Sequence, residues 1–449
     1  MIQRKIDNYL VDFYAKYKKA LLVTGARQIG KTSSIREVGK KHFKHFVEIN
    51  FLESPAAKAI FDGTDTSDIL LRLSAYTKTK LVKNETLIFL DEIQECPNAV
   101  TAIKFLVEEG SYRYIMSGSL LGVELKDIRS LPVGFLSIKE MFPLDLEEFA
   151  NAVGVQPEVL KSIHSAFANK TEVDALVHEK MMAIFRLYMV IGGMPAAVAE
   201  YLESNNIQNV VEIQQSIIEL YKKDIAKYDP KNKLYLNEIF DLIPPELNNQ
   251  NKRFILKKLN ENLKFSHYEN SFIWLKEAGV AIPVYNVDEP KIPLLLSRSR
   301  NLFKLFLNDV GLLTRQYANG IQLKILNGDP DINFGSVYEN VAATELRAHG
   351  FDLYYFNSKK QGELDFVIER GGDVLPIEIK SGKDYQRHAA LDNVMENRDY
   401  AIPMALVFQN DNVHADGRIV YLPIYMLMFL QKEQIPESMI YKLDLSGLQ

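Results

Sequence analysis

The sequence predicts an α/β protein in which apolar strands alternate with helices and polar residues gather where strands end. A glycine-bracketed loop follows the apolar run of residues 20–23. A second apolar run, residues 87–90, ends in the acids Asp91 and Glu92. Near the C-terminus, acids and a lysine alternate with apolar residues on two strands joined by a Gly-Gly pair. Because strands connected by helices form parallel sheets, the first two observations favour a parallel α/β sheet at the start of the chain.

Length and composition indicate a globular protein of several domains. The chain has 449 residues, and single cores stop growing near about 250–300 residues, so two or more domains are expected. A hydrophobic fraction of 47% and a charged fraction of 25% are typical of such proteins. The net charge of −5 gives no general attraction to nucleic acid or to an anionic membrane, so any such surface has to be local.

Cysteine usage and hydropathy predict where the protein resides. Cys96 is the single cysteine of the sequence, which excludes an internal disulfide and fits a reducing compartment. The first 20 residues mix charges with apolar positions at helical spacing and lack the apolar core of a signal peptide. No later run approaches the roughly 20 apolar residues of a membrane span. We therefore expect a cytoplasmic protein without a membrane partner.

The loop after the first strand has the spacing of a phosphate-binding loop. Glycines, a lysine and a threonine follow the pattern GxxxxGKT, and the residues after them can begin a helix. Backbone N–H groups at the glycines can approach an anion, the lysine can reach terminal phosphates, and the threonine hydroxyl can ligate Mg²⁺. The dipole of the following helix favours the same negative charge. The nucleotide-binding loop therefore comprises Gly25, Ala26, Arg27, Gln28, Ile29, Gly30, Lys31, Thr32 and Ser33.

Polar residues lie at the carboxyl ends of two of the strands that follow. A carboxylate such as Asp91, at the carboxyl end of a buried strand beside a phosphate loop, can hold Mg²⁺ through water, and Glu92 can polarise the attacking water. The alternative is an exposed acidic strand end. The next strand, in YRYIMSGS, ends in Ser117 and Ser119, either of which can sense the terminal phosphate, although Ser-Gly-Ser is also an ordinary exit from a strand.

These motifs resemble the AAA-type ATPases of bacteria and archaea whose C-terminal domain was originally described as of unknown function. The matching segments are GARQIGKT, LIFLDEIQ, IMSGSLLG, FPLDLEEF and GGMPAAV, and the resemblance continues almost to the C-terminus. The resemblance implies binding and hydrolysis of ATP with Mg²⁺. The residues that carry over to these roles are Lys31, Thr32, Asp91, Glu92, and Ser117 or Ser119.

The sequence departs from the family at one point. Many relatives have a Gly-Arg pair before the FPLDLEEF-like segment, whereas this chain reads SLPVGFLSIKEMFPL. The arginine that neutralises charge in the transition state is therefore unassigned. Arg129 is the nearest candidate, and Arg113 and Arg186 remain alternatives. Ring assembly is typical of AAA relatives, so a homo-oligomer is a possible state of the protein.

Two segments of different character follow the first domain. Residues 141–228 are expected to be mostly helical, and the family places a small helical lid here. Residues 229–290 read as three helices and a strand pair, the outline of a winged helix. A local basic cluster in this second segment either contacts phosphates of DNA or forms a solvated helix face. Its members are Lys252, Arg253, Lys257 and Lys258.

The stretch GELDFVIERGGDVLPIEIKSG predicts a hairpin with chemistry on one face. A two-residue Gly-Gly turn sets Asp365 opposite Glu378 and Glu363 opposite Lys380. Alternation places these four side chains on one face of the hairpin. It sends to the other face the apolar residues Leu364, Phe366, Ile368, Leu375, Ile377 and Ile379.

Opposed acids are destabilising unless their charge is compensated. Asp365 beside Glu378 makes sense if a divalent cation lies between them or if one carboxyl is protonated. Together with Glu339 on a preceding helix, the arrangement resembles the restriction-endonuclease-like core. That resemblance implies that Asp365, Glu378 and Glu339 hold Mg²⁺ while Lys380 orients or activates the attacking water.

The predicted architecture has four parts. They are a P-loop ATPase core (1–140), a helical lid (141–228), a winged-helix-like domain (229–290) and a restriction-endonuclease-like α/β domain (291–449). Two functions fit this order. In the first, the state of bound ATP controls a nuclease-like domain associated with DNA or another nucleic acid. In the second, the chain is an ATP-driven switch or scaffold that binds a protein or nucleic-acid partner without cleaving it.

Overall fold

The fold is described from a computed structural model covering residues 2–63, 65–118, 134–228, 233–249, 252–254, 268–317, 320–329, 334–382, 384–433, 440 and 442–443. The α-helices in these ranges are α1 (Lys5–Lys16), α2 (Lys31–His42), α3 (Thr66–Tyr76), α4 (Pro97–Glu109), α5 (Leu146–Ala152), α6 (Pro157–Asn169), α7 (Ala175–Ile191), α8 (Pro195–Ser204), α9 (Ile207–Tyr228), α10 (Lys233–Leu247), α11 (Glu269–Glu277), α12 (Val310–Arg315), α13 (Ile321–Asn327), α14 (Gly335–Ala348) and α15 (Ala389–Glu396).

Strands form two sheets in this part of the chain. The first five strands are β1 (Ala20–Thr24), β2 (His45–Asn50), β3 (Thr86–Asp91), β4 (Arg113–Ser117) and β5 (Leu136–Glu140). The remaining strands are β6 (Ala281–Val287), β7 (Arg298–Leu307), β8 (Tyr354–Ser358), β9 (Gly362–Arg370), β10 (Asp373–Ile379), β11 (Ala405–Gln409), β12 (His414–Asp416) and β13 (Ile419–Pro423).

The first sheet is parallel and has the order β2-β3-β4-β1-β5. β3 is buried along its whole length, as a strand covered on both faces requires. Apolar residues of α1 and α2 pack on one face, and those of α3 and α4 pack on the other. The carboxyl ends of β1, β3 and β4 meet at one edge, so the α/β class and the parallel P-loop sheet are confirmed.

A helical region follows this sheet and has a tight break in its middle. α7 ends at Ile191 and α8 begins at Pro195. Gly193 lies in the break, and a Cβ there would come within 2.0 Å of the Leu144 carbonyl oxygen. The buried carboxylate of Asp309, which begins α12, accepts the N–H of Gly193 at 2.6 Å. The break is therefore fixed by backbone packing on one side and a buried acid on the other.

Helix lengths bear on the predicted lack of a membrane partner. No single helix among the described residues is long and apolar enough to cross a membrane. In the part of the chain that the structure describes, one pair, α7 and α8, bent by 120° at the break, passes such a test by length and composition.

The second sheet is mixed and has the order β12-β13-β11-β10-β9-β8-β6-β7. β6 pairs with β7 in antiparallel fashion and with β8 in parallel fashion. The strand β6 lies in the segment predicted to end in the strand pair of a winged helix, and it is part of this sheet. The predicted boundary after residue 290 lies between β6 and β7, which pair with each other. The middle of the predicted winged helix, residues 255–267, lies outside the described residues.

The predicted hairpin register is confirmed where the two strands pair. Asp373 lies opposite Arg370 and Ile377 lies opposite Phe366, which is the register set by a two-residue turn. One part of the alternation prediction is wrong, because the register of β9 shifts against β8. Leu364 packs with Val367 in one apolar cluster, whereas Phe366 packs in another. The bulge adds a residue on β9 and so separates Leu364 from Phe366.

Helix α14 packs against strands of the second sheet on one side and against α7 and α12 on another. Most of its residues are buried, including the acids Glu339 and Glu345. Glu345 accepts the backbone N–H of Leu146 at 2.7 Å and so satisfies a free donor at the start of α5. Glu339 lies nearer the start of α14, among the polar residues of the second sheet. One rigid helix therefore contacts both the helical region and the C-terminal acids.

Candidate functional site

The loop between β1 and α2 has the backbone that its sequence predicts. Gly25 and Gly30 have φ values of +130° and +95°, a region that glycine enters without strain. Gly30 immediately precedes α2, which begins at Lys31, so free N–H groups and the positive end of the helix dipole point to the loop. Gln28 also has a positive φ, of +64°. The loop is therefore shaped as an anion cradle before any phosphate is considered.

The lysine of this loop is held in place by the loop itself. Lys31 is 7% exposed, and its ammonium donates to the carbonyl oxygens of Gly25 and Ala26 at 2.9 and 2.7 Å. Burial lowers the pKa of Lys31 to about 8, despite the opposing effect of Glu92 and Asp91. The ammonium can donate a third hydrogen bond. Lys31 therefore fits the role of a phosphate ligand.

The lowered pKa of Lys31 makes nucleotide binding depend on pH. Without nucleotide, Lys31 loses its proton above about pH 8, whereas bound phosphates favour the charged ammonium. We expect ATP affinity to be constant up to this pH and then to fall by up to about tenfold per pH unit, with uptake of one proton on binding. Calorimetric titrations in two buffers of different ionisation enthalpy would measure both quantities.

Lys31→Arg is the matched control for this prediction, because a guanidinium stays charged throughout the range. We expect its ATP affinity to lose the decline above about pH 8. An equal decline in wild type and Lys31→Arg would show that a group other than Lys31 titrates.

Three strand ends converge on the carboxylate of Asp91. Its oxygens lie 3.3 and 3.4 Å from the Thr32 hydroxyl, and one of them accepts the side-chain N–H of Asn50 at 3.1 Å. The Ser117 hydroxyl donates to the other oxygen. Asp91 is 3% exposed, so a buried carboxylate and a hydroxyl face each other beside the loop. These oxygens suit Mg²⁺, and Asn50 is a member of the site that sequence reasoning missed.

Glu92 projects from a strained position directly after Asp91. Its φ of +51° lies in the left-handed region, which is uncommon for a residue with a side chain. The side-chain amide of Gln94 donates to its carboxylate at 2.5 Å. Such strain gathers at functional sites because the surrounding structure has to enforce it. The position fits the predicted role of Glu92 toward the attacking water.

The structure shows where two of the three arginines lie that were candidates for neutralising charge in the transition state. Arg113 begins β4, whereas Ser117 ends it, so Arg113 lies toward the edge of the sheet opposite the phosphate loop. Arg186 lies on α7 beside Gly328. Arg129 and Ser119 lie outside the described residues. Neither described candidate approaches the loop within its own chain.

Residues far away in the sequence hold the phosphate loop. Arg4 donates to the carbonyl oxygens of Ile29 and Phe142 at 2.9 and 2.8 Å. Arg27 forms an ion pair with Asp224 on α9, at 2.7 Å. These contacts carry no local sequence signal, because each depends on how distant helices pack around the loop.

A turn from the middle of the chain also touches this loop. Gly279 follows α11, and a Cβ there would lie 2.9 Å from the backbone nitrogen of Ala26. The Tyr221 hydroxyl donates to the Arg27 carbonyl at 3.2 Å and accepts from Asn308 at 3.4 Å. The turn that precedes the second sheet is therefore in direct contact with the nucleotide loop, and Asn308, which follows β7, reaches the loop through Tyr221.

The opposed acids of the C-terminal hairpin do meet, and their protonation states differ. Burial and the neighbouring carboxylate of Asp365 raise the pKa of Glu378 to about 8, so its neutral form dominates at pH 7. Burial also opposes ionisation of Asp365, but the ammonium groups of Lys252 and Lys304 lower its pKa. Asp365 also accepts the backbone N–H of Ile379 at 2.9 Å. The raised pKa of Glu378 agrees with a protonated carboxyl, one of the two alternatives for this pair, and a divalent cation between the acids stays a prediction.

A buried lysine that sequence reasoning missed lies among these acids. Lys304 of β7 is fully buried, and its ammonium lies 2.8 Å from Glu363, 3.6 Å from Glu339 and 3.9 Å from Asp365. Although burial alone would lower the pKa of Lys304, these carboxylates raise it above its usual value. Its signal in the sequence is a charge inside the otherwise apolar run LFKLFL.

Glu363 and Lys380, which the predicted hairpin register sets opposite each other, have other partners. Glu363 pairs with Lys304 and Asn357, whereas Lys380 pairs with Glu378 at 3.3 Å, so Glu363 and Lys380 form no cross-strand salt bridge. Within the described ranges, no three His, Cys, Asp or Glu side chains are arranged to hold a metal ion. The predicted ligands Glu339, Asp365 and Glu378 do not form such a group in this arrangement, and their role as ligands of Mg²⁺ stays a prediction.

The basic cluster, predicted either to contact phosphates or to form a solvated helix face, contacts other protein groups where it is described. Lys252 forms an ion pair with the buried carboxylate of Glu339. Arg253 lies beside Tyr355 and lowers the pKa that burial raises in this phenol. Lys257 and Lys258 lie outside the described residues. Lys252 thus compensates an internal charge, and contact of the cluster with DNA stays a prediction.

The five-stranded parallel sheet and the loop after β1 define the N-terminal part of the chain as a P-loop nucleoside-triphosphatase fold. Residues 17–150 match the family described as AAA domain. Residues 182–323 and 334–427 match two domains of unknown function, DUF8612 and DUF4143. The predicted combination of an N-terminal AAA domain with a C-terminal domain of unknown function is confirmed, whereas the restriction-endonuclease-like core stays a prediction. No curated protein sequence matches the chain.

Several solved structures match the chain at low identity. A Walker-type ATPase of Pyrococcus abyssi is 13% identical, with a TM-score of 0.43 over 70% of this chain and 96% of that one. The ORC1 protein of Aeropyrum pernix, solved in complex with DNA, is 13% identical, with a TM-score of 0.25 over 74% and 93%. The RuvB Holliday junction branch migration motor of Thermotoga maritima is 12% identical, with a TM-score of 0.28 over 65% and 91%.

Proposed function

We propose that the protein is a Mg²⁺-dependent ATPase whose nucleotide state controls a C-terminal domain that binds a partner without cleaving it. The observation that carries this proposal is the direct contact between the phosphate loop and distant parts of the chain. Arg4, Asp224 and Gly279 each contact the loop backbone or Arg27. A change in the loop when nucleotide binds therefore reaches segments that support the second sheet.

The nucleotide part of the proposal uses the residues around the loop. Lys31 and the N–H groups at the start of α2 would hold the phosphates, and Thr32 with Asp91 would hold Mg²⁺. Bound Mg²⁺ would neutralise charge on the phosphates. Glu92 is placed to accept a proton from the attacking water, and Ser117 to contact the terminal phosphate.

A chain of polar contacts leads from this loop to α14. Arg4 contacts Ile29 in the loop and forms an ion pair with Glu148 at 3.2 Å. Lys5, the next residue, pairs with Asp145 at 2.7 Å, at the start of α5. The following backbone N–H donates to Glu345 of α14. Because most of these groups are buried, a shift at the loop is conveyed through side chains that have no water to replace their partners.

The C-terminal part of the proposal rests on the acid cluster. The convergence of Asp365, Glu378 and Lys380 supports the predicted likeness to a nuclease core. The ammonium groups of Lys252 and Lys304 among the acids argue against a bound divalent cation. We therefore favour binding of a protein or nucleic-acid partner over cleavage. Metal-dependent cleavage of nucleic acid by wild type that disappears in Asp365→Asn would restore the nuclease hypothesis.

Hydrogen exchange tests whether the nucleotide state reaches α14. With Mg²⁺ and a non-hydrolysable ATP analogue, we expect amides of α14 and the start of α5 to exchange about tenfold more slowly than in the nucleotide-free protein. In Arg4→Met the analogue should still bind, but the change in α14 should largely disappear because the first link is missing. Mass spectrometry of the full-length protein measures both effects.

Arg72→Met is the control, because Arg72 lies on α3 of the same domain, half-exposed and away from the loop. It should respond to the analogue as wild type does. Slower exchange confined to the P-loop sheet, with α14 unchanged in wild type, would contradict the proposed control.

A further inference from the structure

The ammonium of Lys304 occupies the centre of the C-terminal acid cluster. It lies within 4.0 Å of carboxylate oxygens from Glu339, Glu363 and Asp365, which come from one helix and one strand. On another side it lies 5.2 Å from the ring centre of Tyr355, within cation–π range. Carboxylates therefore converge on this nitrogen much as they would converge on a metal ion.

The position of Lys304 is fixed by the strand that carries it. Its neighbours Phe303 and Leu305 are buried in the apolar core, and β7 pairs with β6 on both sides of Lys304. The side chain is 0% exposed, so it has no route to water without local opening of the sheet. Its shortest contact is the ion pair with Glu363, at 2.8 Å.

Charge balance argues against a second cation at the same place. Among the described side chains of the cluster, four carboxyl groups face three ammonium groups, those of Lys252, Lys304 and Lys380. At most one negative charge is left uncompensated. A divalent cation would bring two charges into a buried region that already holds an ammonium, which is unfavourable at low dielectric.

We infer that Lys304 is a built-in cation that takes the place of a divalent metal ion between Glu339, Glu363 and Asp365. The cluster is then complete without metal, and its acids hold β7, β9 and α14 together. This inference extends the proposed function, in which the C-terminal domain binds a partner without cleaving it. Its functional meaning rests on that proposed function. Its test measures metal binding, which is independent of ATP turnover and of partner binding.

Mn²⁺ is a suitable probe, because it favours carboxylate oxygens and its binding can be followed by electron paramagnetic resonance. In nucleotide-free full-length protein, we expect the same Mn²⁺ binding in wild type and in Asp365→Asn. We expect Lys304→Met to gain one Mn²⁺ per chain and to lose this site again when Asp365→Asn is added.

Thermal unfolding supplies a second readout. Without metal, Lys304→Met leaves buried carboxylates uncompensated, so its Tm should fall by roughly 10 °C. Mn²⁺ should recover much of this loss in Lys304→Met and leave the wild-type Tm unchanged. Lys44→Met is the matched control, since Lys44 is a largely exposed lysine paired with Glu85, and it should show neither effect.

Two results would overturn the inference. The first is a Mn²⁺ site in wild type that Asp365→Asn removes. The second is well-folded Lys304→Met that gains no Mn²⁺ site. If Lys304→Met does not fold, Lys252→Met replaces it, because Lys252 is partly exposed and also compensates Glu339. If Lys252→Met also binds no Mn²⁺ in the cluster, Lys304 alone is a sufficient cation, as inferred. If Lys252→Met gains a Mn²⁺ site that depends on Asp365, the inference is contradicted.

Discussion

Lys31→Ala should abolish ATP hydrolysis. The ammonium of Lys31 is the buried cation held at the phosphate loop by the carbonyl oxygens of Gly25 and Ala26. Loss of a donor that contacts transferring phosphate costs about 10²–10³-fold in turnover. A hydrogen bond to a charged group contributes about 2 kcal/mol, so ATP affinity should also fall about 30-fold. Steady-state phosphate release and calorimetry measure the two losses.

Lys40→Ala provides the comparison, because Lys40 is an exposed lysine on the same helix. Its turnover and affinity should equal those of wild type. Turnover by Lys31→Ala within about threefold of the Lys40→Ala value would show that the loop does not hold the reacting phosphates.

Glu92→Gln should separate binding from hydrolysis. The amide keeps the size of the side chain but cannot accept a proton from water. General-base catalysis contributes about 10²–10⁴-fold, so hydrolysis should fall by this factor. ATP affinity should stay within about threefold of wild type, since Lys31, Thr32 and Asp91 are unchanged. Single-turnover hydrolysis and direct binding of labelled ATP check the two halves of the prediction.

Glu95→Gln is the matched variant, because Glu95 lies three residues further on and pairs with Lys58 at 3.0 Å. Its hydrolysis rate should be unchanged. If Glu92→Gln and Glu95→Gln hydrolyse ATP at the same rate as wild type, the general base is another group. If Glu92→Gln instead loses ATP binding, the residue has a structural role in the site.

The nucleotide loop could be predicted from sequence because its parts are local. Eight consecutive positions fix the glycines, Lys31 and Thr32, and the strand before them is apolar. Asp91 and Ser117 are distant in sequence, but each ends a buried strand, and parallel strands bring their carboxyl ends to one edge. A general rule of sheet topology was therefore enough to predict that Asp91 and Ser117 lie close together.

The residues that hold the loop from outside could not be predicted in this way. Arg4, Asp224 and Gly279 reach it only because helices from three parts of the chain pack around it. Nothing in their neighbouring sequence distinguishes them from ordinary surface or turn residues. Their positions depend on tertiary packing, which a periodic pattern of apolar residues does not determine.

Tertiary contacts of the second sheet could not be predicted from the sequence either. The hairpin register followed from a two-residue turn, but the bulge on β9 did not, so Leu364 was assigned to the wrong face. Lys304 had a visible signal as a charge within an apolar strand, yet its partners lie on β9 and α14. The sequence of β6 is compatible with a wing or with a larger sheet, and its pairing with β8 places it in the larger sheet.

Calorimetric titration of well-folded full-length protein with ATP and Mg²⁺ measures whether the phosphate loop binds the nucleotide. We expect one ATP bound per chain, with the site retained in Lys40→Ala and Glu92→Gln and strongly weakened in Lys31→Ala. Absence of binding heat in wild type at several temperatures, or undiminished binding in Lys31→Ala, would contradict this expectation.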